Sequence, residues 1–307
     1  MKPNNLSINL PVFPGTPSHL SAHAPTRTWQ MWRDRFVAGA LWAVALAVIA
    51  IFAWIVGDLL FHGATQITPE FLLQPPQQAG RAGGISTVLV GTLCIIGVTL
   101  GSALPVGLGT AVLLAELNTV EAPFGRLVRR SLDILAGVPS IVFGLFGLAF
   151  FGQFLGWGWS ILSGGLTLAC MILPVLIRAI EESMRAVPPS LRQGAAALGL
   201  SRRAELWHLA LPAAAPGIAA GLMLSVGRAL AETAALLFTA GAAIRMPTSL
   251  FDSVRSLSYH IYLLAIETPG GQERAYASAV VLVVLGLILN GGATILVRRL
   301  QRRLIKL

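Results

Sequence analysis

Lysine is almost missing from this sequence: among 307 residues only Lys2 and Lys306 occur. A phosphate-cradling nucleotide loop needs GxxxxGK[ST] between a strand and a helix. Neither lysine stands in such a motif, so the chain does not bind ATP through that loop. Energy from ATP would have to come from another subunit. Charge of any kind is scarce. Asp, Glu, Lys and Arg make up 11% of the chain and hydrophobic residues 55%, whereas soluble domains carry about 25% charged residues. An integral membrane protein is implied. Cysteine is limited to Cys94 and Cys170, both inside apolar runs. Neither has a partner at metal-ligand spacing, so both read as small buried side chains and no metal site is expected. An enzyme reading finds little support. Asp133, Glu181, Glu182 and Glu205 lie near the ends of apolar runs, and no nucleophile constellation appears.

What the sequence does have is apolar length. The fold class expected is all-α, an integral membrane protein with six transmembrane helices over residues 36–299. One run, Gly217–Gly241, is set apart by two charges near its middle, Arg228 and Glu232. At roughly 1.5 Å per residue it is long enough for a bilayer core of about 30 Å. Four residues apart on a continuous helix, the two charges share a face and lie within pairing distance. Ser225 and Thr239 extend that face. A charge at the bilayer centre costs about 2.5 to 3.5 kcal/mol on insertion scales and usually faces a cavity or the bundle interior. Two readings follow: the stripe lines a permeation path in which Arg228 attracts an anion, or the pair locks the bundle. A buried pair is a weak source of stability, which favours the path.

In chain order, residues 1–35 are rich in Pro, Ser, Asn and His and are expected to form a disordered cytoplasmic tail. His19 and His23 fall in that solvated tail. The first apolar run starts near Phe36, so an uncleaved helix is expected rather than a signal peptide. Spans are expected near residues 36–61, 85–117, 132–151, 161–180, 217–241 and 277–297. Gly101 and Pro105 predict a kink or break in the second. Pro139 predicts one at the start of the third, with Val138 and Ser140 either beside the path or at an ordinary kink. Arg178, near the end of the fourth, is either a snorkelling anchor or a second cation on the path.

Residues 181–216 turn polar. Pro188 and Pro189 should break the preceding helix, Ser190 should cap a new one and Gly199 should end it. Ser201 should cap another that stops at Pro212. A short helical hairpin outside the membrane results. The segment SVRSLSYHIYLLA, between spans five and six, is amphipathic and reads as an interfacial helix; residues 300–307 form a basic tail. The net charge of +9 does not point to nucleic acid, because of where it sits. Lys and Arg number 17 on the side of both termini and the hairpin, and 4 on the other. The positive-inside rule makes the first side cytoplasmic.

The hairpin resembles the coupling segment of ABC-importer permeases, whose signature is EAA, three residues, Gly, nine residues, Ile-x-Leu-Pro. Gln193, Gly194 and Ala195 stand at the EAA positions, Gly199 follows at the right distance, and Leu209-Ala210-Leu211-Pro212 closes the motif. RALAETAALLFTAG, DILAGVPSIVFGLF and PVLIRAIEESMRAVPPSLRQGAAALG resemble phosphate permeases of the PstA type. The likeness runs from about Ile67 to Arg299, with Ala235 where that family carries Pro, so a milder helix break is expected there. It implies the six-helix, MetI-like fold of type I ABC importers in a bacterial inner membrane. It implies a PstC-type permease, a PstB-type ATPase dimer that binds ATP-Mg, and a PstS-type phosphate-binding protein as partners. This chain would bind no cofactor itself. Gln193, Gly194, Ala195, Gly199, Arg202 and Arg203 would dock on the ATPase. Arg228, Glu232, Arg178, Ser225, Thr239 and Ser140 would line the phosphate path, with Arg178 supplying the second cation. The rivals are a permease for another oxyanion and an ATP-independent anion transporter in which Arg228 and Glu232 form a proton-coupled gate.

Overall fold

The computed structural model describes residues 27–117 and 123–305, most of them helical. By internal packing the chain divides into residues 1–56 and 57–307. In the first unit the described residues belong to helix α1, Arg27–Gly63. The helix therefore starts inside the stretch expected to be disordered. Residues 1–26, with His19 and His23, lie outside the described residues.

The second unit is built around α6, Ile161–Arg185, the most buried of the long apolar helices. Ser160 caps it by accepting from the Ser163 amide. Its Leu168, Ile172, Leu176, Ile180 and Met184 recur every fourth residue and are almost fully buried. Such a repeat places one continuous apolar row on one side of the helix. α3 (Ser86–Val112), which follows the short α2 (Pro69–Leu73), packs on α6, and so does α9 (Leu211–Ala231). Small residues permit the close approach that membrane helices need: Thr99 on α3 donates to the Gly165 carbonyl on α6 at 3.0 Å. α12, Gln272–Ile305, packs on the far side of α9 and carries the helix through most of the expected basic tail. Among the described residues five helices are long and apolar enough to cross a membrane, or six when one bent pair is counted as a single span.

That bent pair is α4 (Pro123–Ala136) and α5 (Ser140–Gly147), which meet at 102°. Pro139 cannot donate a ladder bond and holds the residue before it away from helical geometry, so the third span is an elbow. The second span departs from expectation in the other direction. α3 runs through Gly101 and Pro105 without a break, and its irregularity comes later, as a π turn at Leu113–Leu117.

The hairpin forms with two corrections. α7, Pro189–Ala197, starts with Pro188 at the cap and Pro189 in the first turn, so Ser190 is inside the helix. Proline suits that place because a first-turn amide has no ladder acceptor. Gly199 ends α7 with φ of +70°, and Ser201 caps α8 (Arg202–Glu205) through the Ala204 amide. Pro212 does not stop the next helix. It lies in the first turn of α9, and a π turn at Leu206–Ala210 joins α8 to it, so the second arm of the hairpin runs on into the fifth span.

Candidate functional site at a broken helix

The fifth span is the largest departure from the sequence reading. α9 stops at Ala231, Glu232 takes extended geometry (φ −72°, ψ 126°), and α10 resumes at Ala234–Thr239. The break occurs with Ala235 in place of proline. Arg228 and Glu232 therefore do not share one helical face. Among the described residues no salt bridge joins them, and the attraction between them is Coulombic at longer range. Both are half-buried. The Glu232 carboxylate instead meets the Ser140 hydroxyl, at the first residue of α5 just past the Pro139 elbow.

Two helix breaks thus face each other, and the packing between them is tight. A Cβ built on Gly144 of α5 would lie 2.9 Å from the Ala235 Cα of α10. No side chain larger than hydrogen fits there without parting the helices. Ser225 and Thr239, expected on the path, are buried. Ser225 donates to the Gly221 carbonyl at 2.9 Å and Thr239 to the Ala235 carbonyl at 2.7 Å. Their hydroxyl protons are thus used inside their own helices.

Arg178 is placed elsewhere, in a polar cluster at the end of α6. It pairs with Asp133 of α4, donates to the Arg129 carbonyl at 3.3 Å and lies 3.9 Å from the Glu181 carboxylate. Glu181 is the hub: at 3% exposure its Oε1 accepts from Arg129 Nε at 2.7 Å and from Arg185 Nε at 3.1 Å. Arg129 and Arg185 also both donate to the Leu114 carbonyl at 3.0 Å. The sequence reading left Glu181 among the scattered acids. Its spacing to Arg178 and Arg185 was readable as helix-face pairs, but the contact across to Arg129 was not.

At the hairpin, Arg192 reaches Glu116 with two nitrogens, at 2.7 and 2.8 Å, and donates to the Met184 carbonyl at 3.0 Å. One planar fork thus ties α7 to the ends of α3 and α6. Gln193 and Gly194 are exposed and Ala195 is buried. Arg202 and Arg203 line a cleft of about 440 Å³ with Arg192, Glu116 and Glu205. Leu198, at the tip, is 81% exposed.

The segment expected to form an amphipathic helix turns one face inward. α11, Leu257–Tyr262, buries Leu257, Ser258, Tyr259 and His260 inside the unit. Sequence reasoning missed its hydroxyls, and Thr92 on α3, because their partners are remote along the chain.

Residues 103–305 match the family described as binding-protein-dependent transport system inner membrane component. A probable ABC transporter permease protein, YqgI of Bacillus subtilis (strain 168), is 30% identical over 275 residues, covering 84% of this chain and 92% of its own length. The phosphate transport system permease protein PstA 2 of Mycobacterium bovis is 32% identical, covering 88% and 91%. PstA 1 of Mycobacterium tuberculosis (strain CDC 1551 / Oshkosh) is 36% identical, covering 70% and 71%. Among solved structures, a bacterial ABC transporter involved in the import of the acidic polysaccharide alginate aligns with a TM-score of 0.59 at 16% identity, over 88% of this chain and 99% of its own. The inward-facing MetNI methionine ABC transporter aligns with 0.55 at 18%, over 70% and 96%. At such identities these two speak for the fold alone, the MetI-like permease fold. With well over half of its length inside the family match, and relatives at 30–36% identity across most of it, the chain belongs to the binding-protein-dependent transport system inner membrane components, the permease subunits of ABC importers.

Proposed function

We propose that the chain is the PstA-type permease of an ATP-driven phosphate importer and forms half of the path for inorganic phosphate. The observation that carries the reading is the broken fifth span. A cation four residues before the break is left without a direct carboxylate partner, half-buried in an apolar span. A charge kept there at a cost of about 2.5 to 3.5 kcal/mol is available to an anion. Glu232 stands near enough to moderate that attraction and so prevent a trap. It can also accept from a protonated phosphate oxygen, which favours phosphate over fully ionised sulfate. Ser140 completes the polar lining. Ser225 and Thr239 shape the path through packing, and Arg178 acts through the Glu181 cluster.

The partners follow from the same reading: a PstC-type permease, two PstB-type ATPase subunits that bind ATP-Mg and hydrolyse ATP, and a PstS-type binding protein. The hairpin around Gln193 to Arg203 docks on the ATPase. Both termini face the cytoplasm of the bacterial inner membrane. ATP closes the ATPase dimer, the hairpin carries the motion, and the bundle opens outward to receive phosphate.

The test is labelled-phosphate uptake at low external phosphate in cells lacking this chain, restored with wild type or Arg228→Ala at matched membrane levels. Rescue by wild type and not by Arg228→Ala, with the ATPase still assembled, is expected. Uptake that does not depend on the chain removes phosphate as cargo. Full rescue by Arg228→Ala reduces the pair to a structural feature. Uptake without the ATPase returns the reading to a secondary transporter.

A further inference from the structure

Ending a helix inside an apolar span leaves carbonyls without ladder partners, and each needs a substitute. At the break in the fifth span the Glu232 carbonyl finds one far along the chain. Ser258 Oγ of α11 donates to it at 2.5 Å. That serine is held by other buried polar groups. The Leu257 amide donates to Thr92 Oγ1 of α3 at 2.8 Å, and Thr92 donates onward to the Val88 carbonyl at 2.7 Å. Ser256 Oγ caps α11 through the Tyr259 amide at 3.2 Å and lies 3.1 Å from Ser258 Oγ. A hydroxyl has one proton. Since Ser258 gives its own to Glu232, Ser256 is the donor between the two serines. The bonds form a directed chain: Ser256 to Ser258 to the Glu232 carbonyl. Thr92, Ser256 and Ser258 are all buried.

Glu232 is therefore gripped at both ends. α11 holds its backbone, and Ser140 of α5 meets its carboxylate. Without the backbone bond, nothing else among the described residues accepts responsibility for that carbonyl, and the extended ψ of 126° loses a restraint. Helical closure at Glu232 would restore the four-residue register and bring its carboxylate onto Arg228. The cation would then be spent on a protein partner.

We propose that Ser258 is a positioning residue for transport: by holding the carbonyl that the helix break exposes, it keeps Glu232 off Arg228 and leaves the cation open to the anion. The inference rests on the reading of Arg228 and Glu232 as the anion site. It assigns to α11 a role in substrate affinity rather than in packing alone.

The test is a double-mutant cycle in the reconstituted importer, comparing wild type, Ser258→Ala, Glu232→Gln and both together, with Ser258→Thr as the conservative variant. Phosphate KM and binding-protein-stimulated ATPase rate are measured for each. Loss of one hydrogen bond of ordinary strength corresponds to about a fivefold to tenfold change. KM should rise by that factor in Ser258→Ala and recover in Ser258→Thr. It should not rise further when Ser258→Ala is added to Glu232→Gln. Equal rises in both backgrounds, or an unchanged KM in Ser258→Ala, overturn the proposal. The ATPase readout separates the two failures. If wild type carries no phosphate while the two substitutions stay non-additive in stimulated ATPase rate, the cargo is wrong and the positioning role stands. Additive effects there remove the positioning role whatever the cargo.

Discussion

Glu181→Ala is the substitution with the largest expected effect on stability. The carboxylate is 3% exposed, with Arg129 at 2.7 Å, Arg185 at 2.9 Å and Arg178 at 3.9 Å. Removing it leaves three guanidinium groups around the space it occupied, while Asp133 still pairs with Arg178 on the more exposed side of the cluster. Breaking a buried pair from one side costs about 3–5 kcal/mol, because the remaining charge stays desolvated. For a unit of this size each kcal/mol moves the midpoint by about 2–4 °C, so a drop of roughly 6–20 °C is expected. Asp133→Ala is the control. Its side chain is 61% exposed and that of Arg178 38%, and pairs of that kind contribute about 0–1 kcal/mol. The assay is thermal unfolding of the purified protein in detergent, followed by size-exclusion of the remaining folded fraction. A shift below about 2 °C for Glu181→Ala, or equal shifts for both variants, would refute the reasoning that burial makes Glu181 the hub.

Two further substitutions test local geometry. Gly144→Ala puts a Cβ 2.9 Å from the Ala235 backbone, and overpacking of that kind costs about 1–3 kcal/mol; lower thermal stability together with slower uptake is expected, and an unchanged midpoint would mean that α5 and α10 part freely. Gly199→Val forces a β-branched residue into φ of +70° in open space, so strain rather than collision is the perturbation. ATP consumed per phosphate imported should rise, whereas Gly97→Ala, facing open space within α3 and away from the hairpin, should leave that ratio unchanged.

Much of the fold was readable because lipid-facing helices announce themselves by apolar length. The cap at Ser201 and the stop at Gly199 were readable because each depends on its immediate neighbours. The failures share a different cause. Pro105 looks like a break, yet α3 absorbs one missing bond and continues. Glu232 looks like the middle of a helix, yet the chain breaks there with Ala at position 235. What makes the break tolerable is a hydroxyl 26 residues away, and no local pattern reports it. Thr92 and Leu257 are 165 residues apart. Arg178 was recognisable as a charge out of place with Glu181 three residues on, but Asp133 comes from an elbow that only the folded chain brings alongside it.

One continuity links the two regions of interest. From Arg202 to Ala231 the chain is helical for 30 residues, about 45 Å at 1.5 Å per residue. It starts at the hairpin tip and ends beside Glu232. A helix is stiff along its axis, so a push at Arg202 would be carried toward Arg228 along the backbone itself. The π turn at Leu206–Ala210 is the compliant point, placed near the driven end. The rod's far end packs on α6 and α12, and the break beyond it is held by Ser258 on the Glu232 carbonyl and Ser140 on its carboxylate, so a displacement arriving there would change the angle between Glu232 and the cation behind it. Under the proposed coupling, stroke length at the hairpin and anion affinity at the break become two readings of one mechanical coordinate.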